Sequence, residues 1–244
     1  MEHRLDLRLA SFLFKYSFPL YKNLYERFKS RQDAEELTFL KQTLKKGDIV
    51  LDIGSNIGFY ATKISELIGD EGKVICFEPD TINFMHLQNT LKKKKNVCLI
   101  NKAVSDKSGK IQIYTSHRLN VDHRTYKPEK FDSTYFIDAI TIDEYLAEDP
   151  HVDFIKMDIQ GAEIFALKGM KRILAENKKL KIVTECSPYI LQSAGSSANE
   201  MLDYMNNAGY RAYLFGENFR EINSGNVNTL KSGEFDSYNI VFRR

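Results

Sequence analysis

The sequence predicts an α/β protein built on a mostly parallel sheet with helices on both faces. Three observations carry this. Residues 49–60, IVLDIGSNIGFY, run from a short β-branched apolar stretch through a glycine turn into helical spacing, as a strand buried on both faces and its following helix do. Strand and helix signals then alternate along the chain, the pattern of parallel strands joined by crossover helices. At 244 residues, 43% hydrophobic and 28% charged, the chain is long enough for one substantial core.

In chain order, residues 1–32 read as an N-terminal helical extension, an amphipathic helix or helix pair broken near Pro19, and residues 33–244 as the main domain. Charges run through the apolar residues of the extension and no small-residue cleavage site follows, so it does not read as a signal peptide. It reads as a helix packing on the main domain or across a dimer, its aromatic residues Phe12, Phe14, Tyr16, Phe18, Tyr21 and Tyr25 making it a candidate homodimer surface; peripheral membrane contact is the competing use. Residues 33–45 form a helix ending before Gly47. Strands are expected at 49–53, 73–77, 97–100, 152–157 and 180–185, with helices near 58–68, 80–94 and 162–176 between them. A helix near 197–207 and strands at 210–215 and 238–244 complete the pattern. Before the fourth main strand, 110–116 and 135–142 read as two further strands flanking a polar, basic and aromatic segment. That strand-loop insertion is long for a connection, and serves either as a surface excursion or as a lid for acceptor recognition.

Composition excludes several function classes. A formal charge of +2, and a basic run at 92–95 without interleaved aromatics, give no case for nucleic acid. No apolar run approaches the roughly 20 residues needed to span a bilayer. Cys76, Cys98 and Cys186 are odd in number and lie in or beside apolar runs, so they read as buried thiols of a reducing, cytoplasmic compartment.

The chemistry concentrates at three strand ends. Asp52-Ile53-Gly54-Ser55-Asn56-Ile57-Gly58 gives D-x-G-x-N-x-G, which fails both the dinucleotide pattern G-x-G-x-x-G and the P-loop. Such a turn aims backbone amides and the positive end of a helix at a ligand with an anionic end. Glu78 follows Gly54 by 24 positions at the tip of the next strand, placed to accept hydrogen bonds from ribose hydroxyls. Asp158 ends a third strand in KMDIQGAEIFALKGM, and ligands of open parallel sheets lie outside such carboxyl ends. Asp158 also reads as a helix-capping carboxylate, and Glu163 as a residue favouring the helix N-terminus.

VLDIGSNIGFYATKIS, FEPD, LQNTL, NKAVSDKSG, AITIDEYL and KMDIQGAEIFALKGM stand in the order and spacing of the FkbM family. The chain resembles that family over roughly residues 35–190. The resemblance implies a Rossmann-like, seven-stranded class I methyltransferase using S-adenosyl-L-methionine, with a hydroxyl of a small-molecule or glycan-like acceptor as target. It implies that Asp52 and the backbone from Gly54 through Ser55, Asn56 and Gly58 hold the methionine portion, and that Glu78 holds the ribose. Asn101, Ala103 and Val104 fall near the adenine, without a choice among them, and Asp158 beside the methionine amine and the acceptor. Gln160 stands where the family has Glu, which removes one charge near the site.

A hydroxyl acceptor needs a base for its proton, and Asp158, His117 and His123 are the candidates. Glu185, ending the strand at 180–185, also faces the expected crevice and is a candidate for binding acceptor hydroxyls. Asp158 and Glu185 together could instead hold a divalent cation, for which no compact ligand motif exists in the sequence. Competing functions are an N-methyltransferase of the same fold, a non-catalytic nucleoside-binding module and an NAD-dependent oxidoreductase.

Overall fold

The computed structural model describes residues 7–115, 124–128, 131–216, 218–233 and 236–244. The chain opens with helices α1 (Leu7–Tyr16), α2 (Phe18–Gln32) and α3 (Ala34–Thr43), followed by β1 (Ile49–Ile53), α4 (Phe59–Ile68), β2 (Lys73–Phe77), α5 (Thr81–Leu91) and β3 (Val97–Ile100). Next come β4 (Ala103–Val104), β5 (Gly109–Thr115), β6 (Ser133–Ile140), α6 (Ile142–Tyr145), β7 (Phe154–Met157), α7 (Glu163–Lys168) and α8 (Lys171–Glu176). The chain ends with β8 (Lys181–Cys186), α9 (Pro188–Ser193), α10 (Ala198–Asn207), β9 (Arg211–Leu214), β10 (Glu221–Ile222) and β11 (Tyr238–Arg243).

The main sheet runs β10-β9-β11-β8-β7-β1-β2-β3. Seven of these strands answer the expectation from sequence; the eighth is the two-residue β10, paired antiparallel to β9. Strands β3, β2, β1, β7 and β8 are mutually parallel, and β11 is antiparallel to both neighbours. From β1 the chain goes to β2 on one side and returns to β7 on the other. The change of direction opens a crevice at the carboxyl ends of β1 and β7. Both faces of the sheet are covered, which is why Val50, Leu51, Ile53, Phe154, Ile155 and Met157 are all buried. The insertion strands stay out of this sheet. With β4 they form a second one, in the order β4-β6-β5.

Several boundaries differ from the sequence reading. The helix expected at 162–176 breaks into α7 and α8 at Gly169, where the chain passes so close to Ser105 that a Cβ would lie 2.0 Å from its carbonyl oxygen. The strand expected to reach 142 ends at Ile140, because Thr141 accepts a hydrogen bond from the Glu144 amide and caps α6. Helix α5 stops at Leu91 rather than continuing to 94.

The 32/33 division falls at the junction of α2 and α3. The break between α1 and α2 comes at Ser17, with Pro19 in the first turn of α2. Most of the aromatic residues of these helices turn inward. Phe14 and Tyr21 are buried against Ile57 of the glycine turn, Phe18 stacks on His86, and Tyr25 packs edge-on to Phe59. Phe12 and Tyr16 remain exposed.

Candidate active site

The turn after β1 is set by backbone geometry. Gly54, Asn56 and Gly58 have φ of 86°, 50° and 91°, a region open to glycine and tolerated by asparagine. A Cβ on Gly54 would lie 2.0 Å from the Asp158 carbonyl oxygen, so this glycine lets the turns after β1 and β7 touch. Gly54→Ala is expected to cost on the order of 2–3 kcal/mol and to abolish cofactor binding, read by thermal unfolding and calorimetry.

The turn's amides are used differently from the sequence expectation. Those of Gly54 and Ser55 donate to the Phe77 carbonyl, and that of Gly58 to the Ser55 carbonyl. The Asn56 amide donates to Glu78 Oε2 and the Ile57 amide to Asn56 Oδ1. These bonds rigidify the turn rather than face a ligand. The first turn of α4, whose amides lack intrahelical acceptors, supplies the positive end instead; Phe59 and Tyr60 line the adjoining cavity.

Two cavities meet at this point and share Gly54, Asn56, Asp158 and Gln160. The first is lined by Phe77, Glu78, Ala103, Val104 and Ile113 among others. Glu78 is 5% exposed, and its second oxygen accepts from the Asp80 amide at 2.9 Å. Each carboxylate oxygen thus accepts from a backbone donor, which fixes the carboxylate against the cavity wall. Asn101 turns away, donating to the carbonyls of Glu78 and Pro79; Ala103 and Val104 line the wall. Glu78→Ala is expected to weaken cofactor binding by about two orders of magnitude, measured by calorimetry; an unchanged affinity would remove Glu78 from this role.

The second cavity is larger, with a volume of about 610 Å³, and opens to solvent. Asp52 on its wall is 2% exposed, and its Oδ2 has no hydrogen-bond partner among the described residues. Burial pushes the Asp52 carboxyl up to about 6. An orphaned buried oxygen on the wall suits a cationic donor, such as the ammonium of a methionine moiety. The chemistry of these groups is compatible with S-adenosylmethionine: Asp52 would take its ammonium, Glu78 its ribose and the start of α4 its carboxylate.

Next to Asp52 in the sheet register stands Lys156, 2% exposed. Its ammonium lies 3.5 Å from Glu36 Oε1 and 4.8 Å from the centroid of the Tyr60 ring. Tyr60 donates to Asp33 Oδ2 at 2.7 Å, and Lys29 pairs with the same oxygen at 2.7 Å. This network ties α2 and α3 to the sheet behind the site. The sequence reading did not single out Lys156, Glu36, Lys29 or Tyr60. The available signal was a lysine inside the otherwise apolar run FIKM.

Asp158 and Glu185 complete the site. Gln160, at φ 52°, donates from Nε2 to Asp158 Oδ1 at 2.9 Å and to Glu185 Oε2 at 3.0 Å. Burial opposes ionisation of Asp158, but Lys156, Lys29 and the Gln160 amide hold its carboxyl below the ordinary range. Glu185 is pushed the other way, to about 8, by burial first and then by the charges of Asp158 and Glu163. One carboxylate is charged at neutral pH and its neighbour keeps a proton. Glu163 is 2% exposed and accepts from the Ile159 amide, bracing the turn after β7. Among the described residues no three His, Cys, Asp or Glu side chains converge on a cation position. His117 and His123 lie outside the described residues.

Comparison with known proteins agrees with this geometry. The profile of the methyltransferase FkbM domain matches residues 52–212. The chain is 27% identical over 180 residues to the 2-O-methyltransferase NoeI of Sinorhizobium fredii, covering 66% of this chain and 73% of that protein. It is also 27% identical over 148 residues to the hexuronic acid methyltransferase AglP of Haloferax volcanii, covering 59% of each. Its fold is similar to that of a methyltransferase FkbM from Methylobacillus flagellatus, with a TM-score of 0.50 and 21% identity over 82% of this chain. The matched part is 44% of that longer chain. The chain belongs to the FkbM methyltransferase domain family, and it is an S-adenosylmethionine-dependent methyltransferase of the Rossmann-like class.

Proposed function

We propose that the enzyme methylates a hydroxyl of a saccharide-like acceptor held in the larger cavity. The observation that carries this reading is the Asp158–Gln160–Glu185 cluster at the junction of the two cavities. Bound S-adenosylmethionine supplies an electrophilic methyl group on a sulfonium. The protein's own share is to align the acceptor and to take up its proton.

The carboxylate pair suits the second task. A base works best with a pKa near the operating pH, and Glu185 at about 8 meets that condition. Asp158 stays ionised beside it and raises its basicity, while Gln160 fixes both oxygens and so the direction in which the pair meets a hydroxyl. With both groups ionised, the pair receives one proton from the acceptor oxygen as that oxygen bonds to the methyl group. The names of the two relatives, a 2-O-methyltransferase and a hexuronic acid methyltransferase, support a sugar-like acceptor. Three free cysteines, two of them buried, support assignment to a reducing, cytoplasmic compartment. Among the described residues no helix is long and apolar enough to cross a membrane.

The test is incubation with methyl-labelled S-adenosylmethionine and methyl glycosides of a neutral hexose, an N-acetylhexosamine and a hexuronate. Label is expected in an alkali-stable ether, with one S-adenosylhomocysteine released per transfer. Label in an alkali-labile ester, at an amine, or in no saccharide at all would overturn the reading.

A further inference from the structure

Helix α2 brings four residues to the larger cavity: Tyr25, Phe28, Lys29 and Gln32. Their spacing of 3, 4 and 7 positions from Tyr25 is that of one helix face. These residues precede the segment 52–212 that matches the family domain, so a wall of the cavity comes from outside that matched segment. The four are not equivalent. Lys29 is committed to Asp33. Tyr25 is stacked on Tyr21 and packed edge-on to Phe59, which fixes its ring. Phe28 differs: it lines the cavity and yet is 38% exposed.

An aromatic ring left in water at a cavity mouth carries a hydrophobic cost unless a ligand covers it. The lining of the same cavity also offers the carboxylates of Asp158 and Glu185 and the amide of Gln160. A ligand satisfying both kinds of group needs an apolar C–H face and a rim of hydroxyls. A pyranose ring has that construction. The cavity's volume of about 610 Å³ lies within the about 300–1,000 Å³ typical of a small-ligand pocket.

We propose that the cavity-facing side of α2 is the acceptor-recognition surface, with Phe28 stacking on the apolar face of the sugar unit that presents its hydroxyl to Asp158 and Glu185. Gln32, one turn further along, is placed to read a substituent on that sugar. This rests on the saccharide reading above and adds to it the residue that sets acceptor affinity. Phe28 acts on binding, not on the transferred methyl or the proton.

The experiment compares wild type with Phe28→Ala and Phe28→Tyr on whichever of the three methyl glycosides the wild type methylates. Affinity for S-adenosylmethionine is measured alongside by calorimetry. Phe28→Ala is expected to raise the acceptor KM about tenfold, the upper range for one lost ring contact, with kcat and cofactor affinity unchanged. Phe28→Tyr is expected to restore the KM. An unchanged acceptor KM in a folded, active Phe28→Ala protein would overturn the assignment of α2 and leave the saccharide reading intact. A parallel loss of cofactor affinity would overturn it too, making α2 a wall of the cofactor site. Absence of methyl transfer from wild type to any saccharide would fail the underlying reading and this one together.

Discussion

Replacing Asp158 with asparagine is expected to lower turnover by roughly 10²–10⁴-fold while leaving S-adenosylmethionine affinity essentially unchanged. The substitution keeps size and shape but removes the charge that Lys156 and Lys29 hold in place. It also acts on Glu185, whose carboxyl is raised by burial first and by Asp158 second. In wild type, kcat should rise as pH passes through about 8, where the pair loses its second proton. Without the neighbouring charge, Glu185 gives up its proton at lower pH. The rising limb moves to the acid side and the base it generates is weaker. Stopped-time assays across the pH range read both effects. Equal losses in turnover and cofactor affinity would reassign Asp158 to cofactor binding, and an unmoved pH limb would separate Asp158 from Glu185.

Lys156→Met is expected to destabilise the protein by about 3–5 kcal/mol, the usual cost of removing one member of a buried ion pair. For a chain of this size that lowers the melting temperature by about 6–20 °C. Methionine fills similar volume, so the loss reports electrostatics more than packing. The wild-type ammonium is buried among Glu36, Asp158 and Asp52 and stays protonated because those carboxylates outweigh its desolvation. The pH dependence has a defined sign. In wild type the depressed Asp158 carboxyl contributes stability above its unfolded pKa, and this is lost as pH falls through its folded value. In the variant the same carboxyl loses its main cation and its pKa rises, so protonation then relieves strain. The stability gap should be widest near neutrality and narrow in acid. Denaturant titrations at several pH values measure it, and a gap independent of pH would assign the loss to packing instead.

The legible parts of this protein are those written locally. The turn from β1 to α4 has its glycines, its Asn56 and its apolar strand within twelve consecutive residues, so its place and type follow from sequence, whereas the partners of its amides, Phe77 and Glu78 among them, come from the next strand. Glu78 was legible because a strand end in an α/β sheet has a known place. Lys156 was not, since a lysine in an apolar strand becomes meaningful only when Glu36 and Tyr60 arrive from other helices. The same holds for α1 and α2: aromatic residues at helical spacing look alike whether they meet a second copy, a membrane or, as Phe14 and Tyr21 do, the body of the same chain. Gly169 looked like a tolerated helix residue because Ser105, which it nearly touches, lies 64 positions earlier. Missed signals existed too. Thr141 three residues before Glu144 marks a helix start but was absorbed into the strand expected at 135–142, and Ser187 before Pro188 marks another that fell outside every expected element.

Strand β1 sits between β2, which follows it closely, and β7, which arrives about a hundred residues later; the Ile49 amide reaches Asp153 across 104 positions. That arrangement makes the active site a product of high contact order. The glycine turn can form early, but the surface on which Asp158 meets Gly54 exists only after the long loop between them has closed, a step that slows folding. Early compact forms therefore hold no complete binding site, and the cofactor cannot rescue them. Once β7 has docked, S-adenosylmethionine adds to the stability of the finished fold alone, by about 2.7 kcal/mol at a concentration one hundred times its dissociation constant. The cofactor supply of the cell thus acts on the lifetime of the folded enzyme, not on its rate of formation.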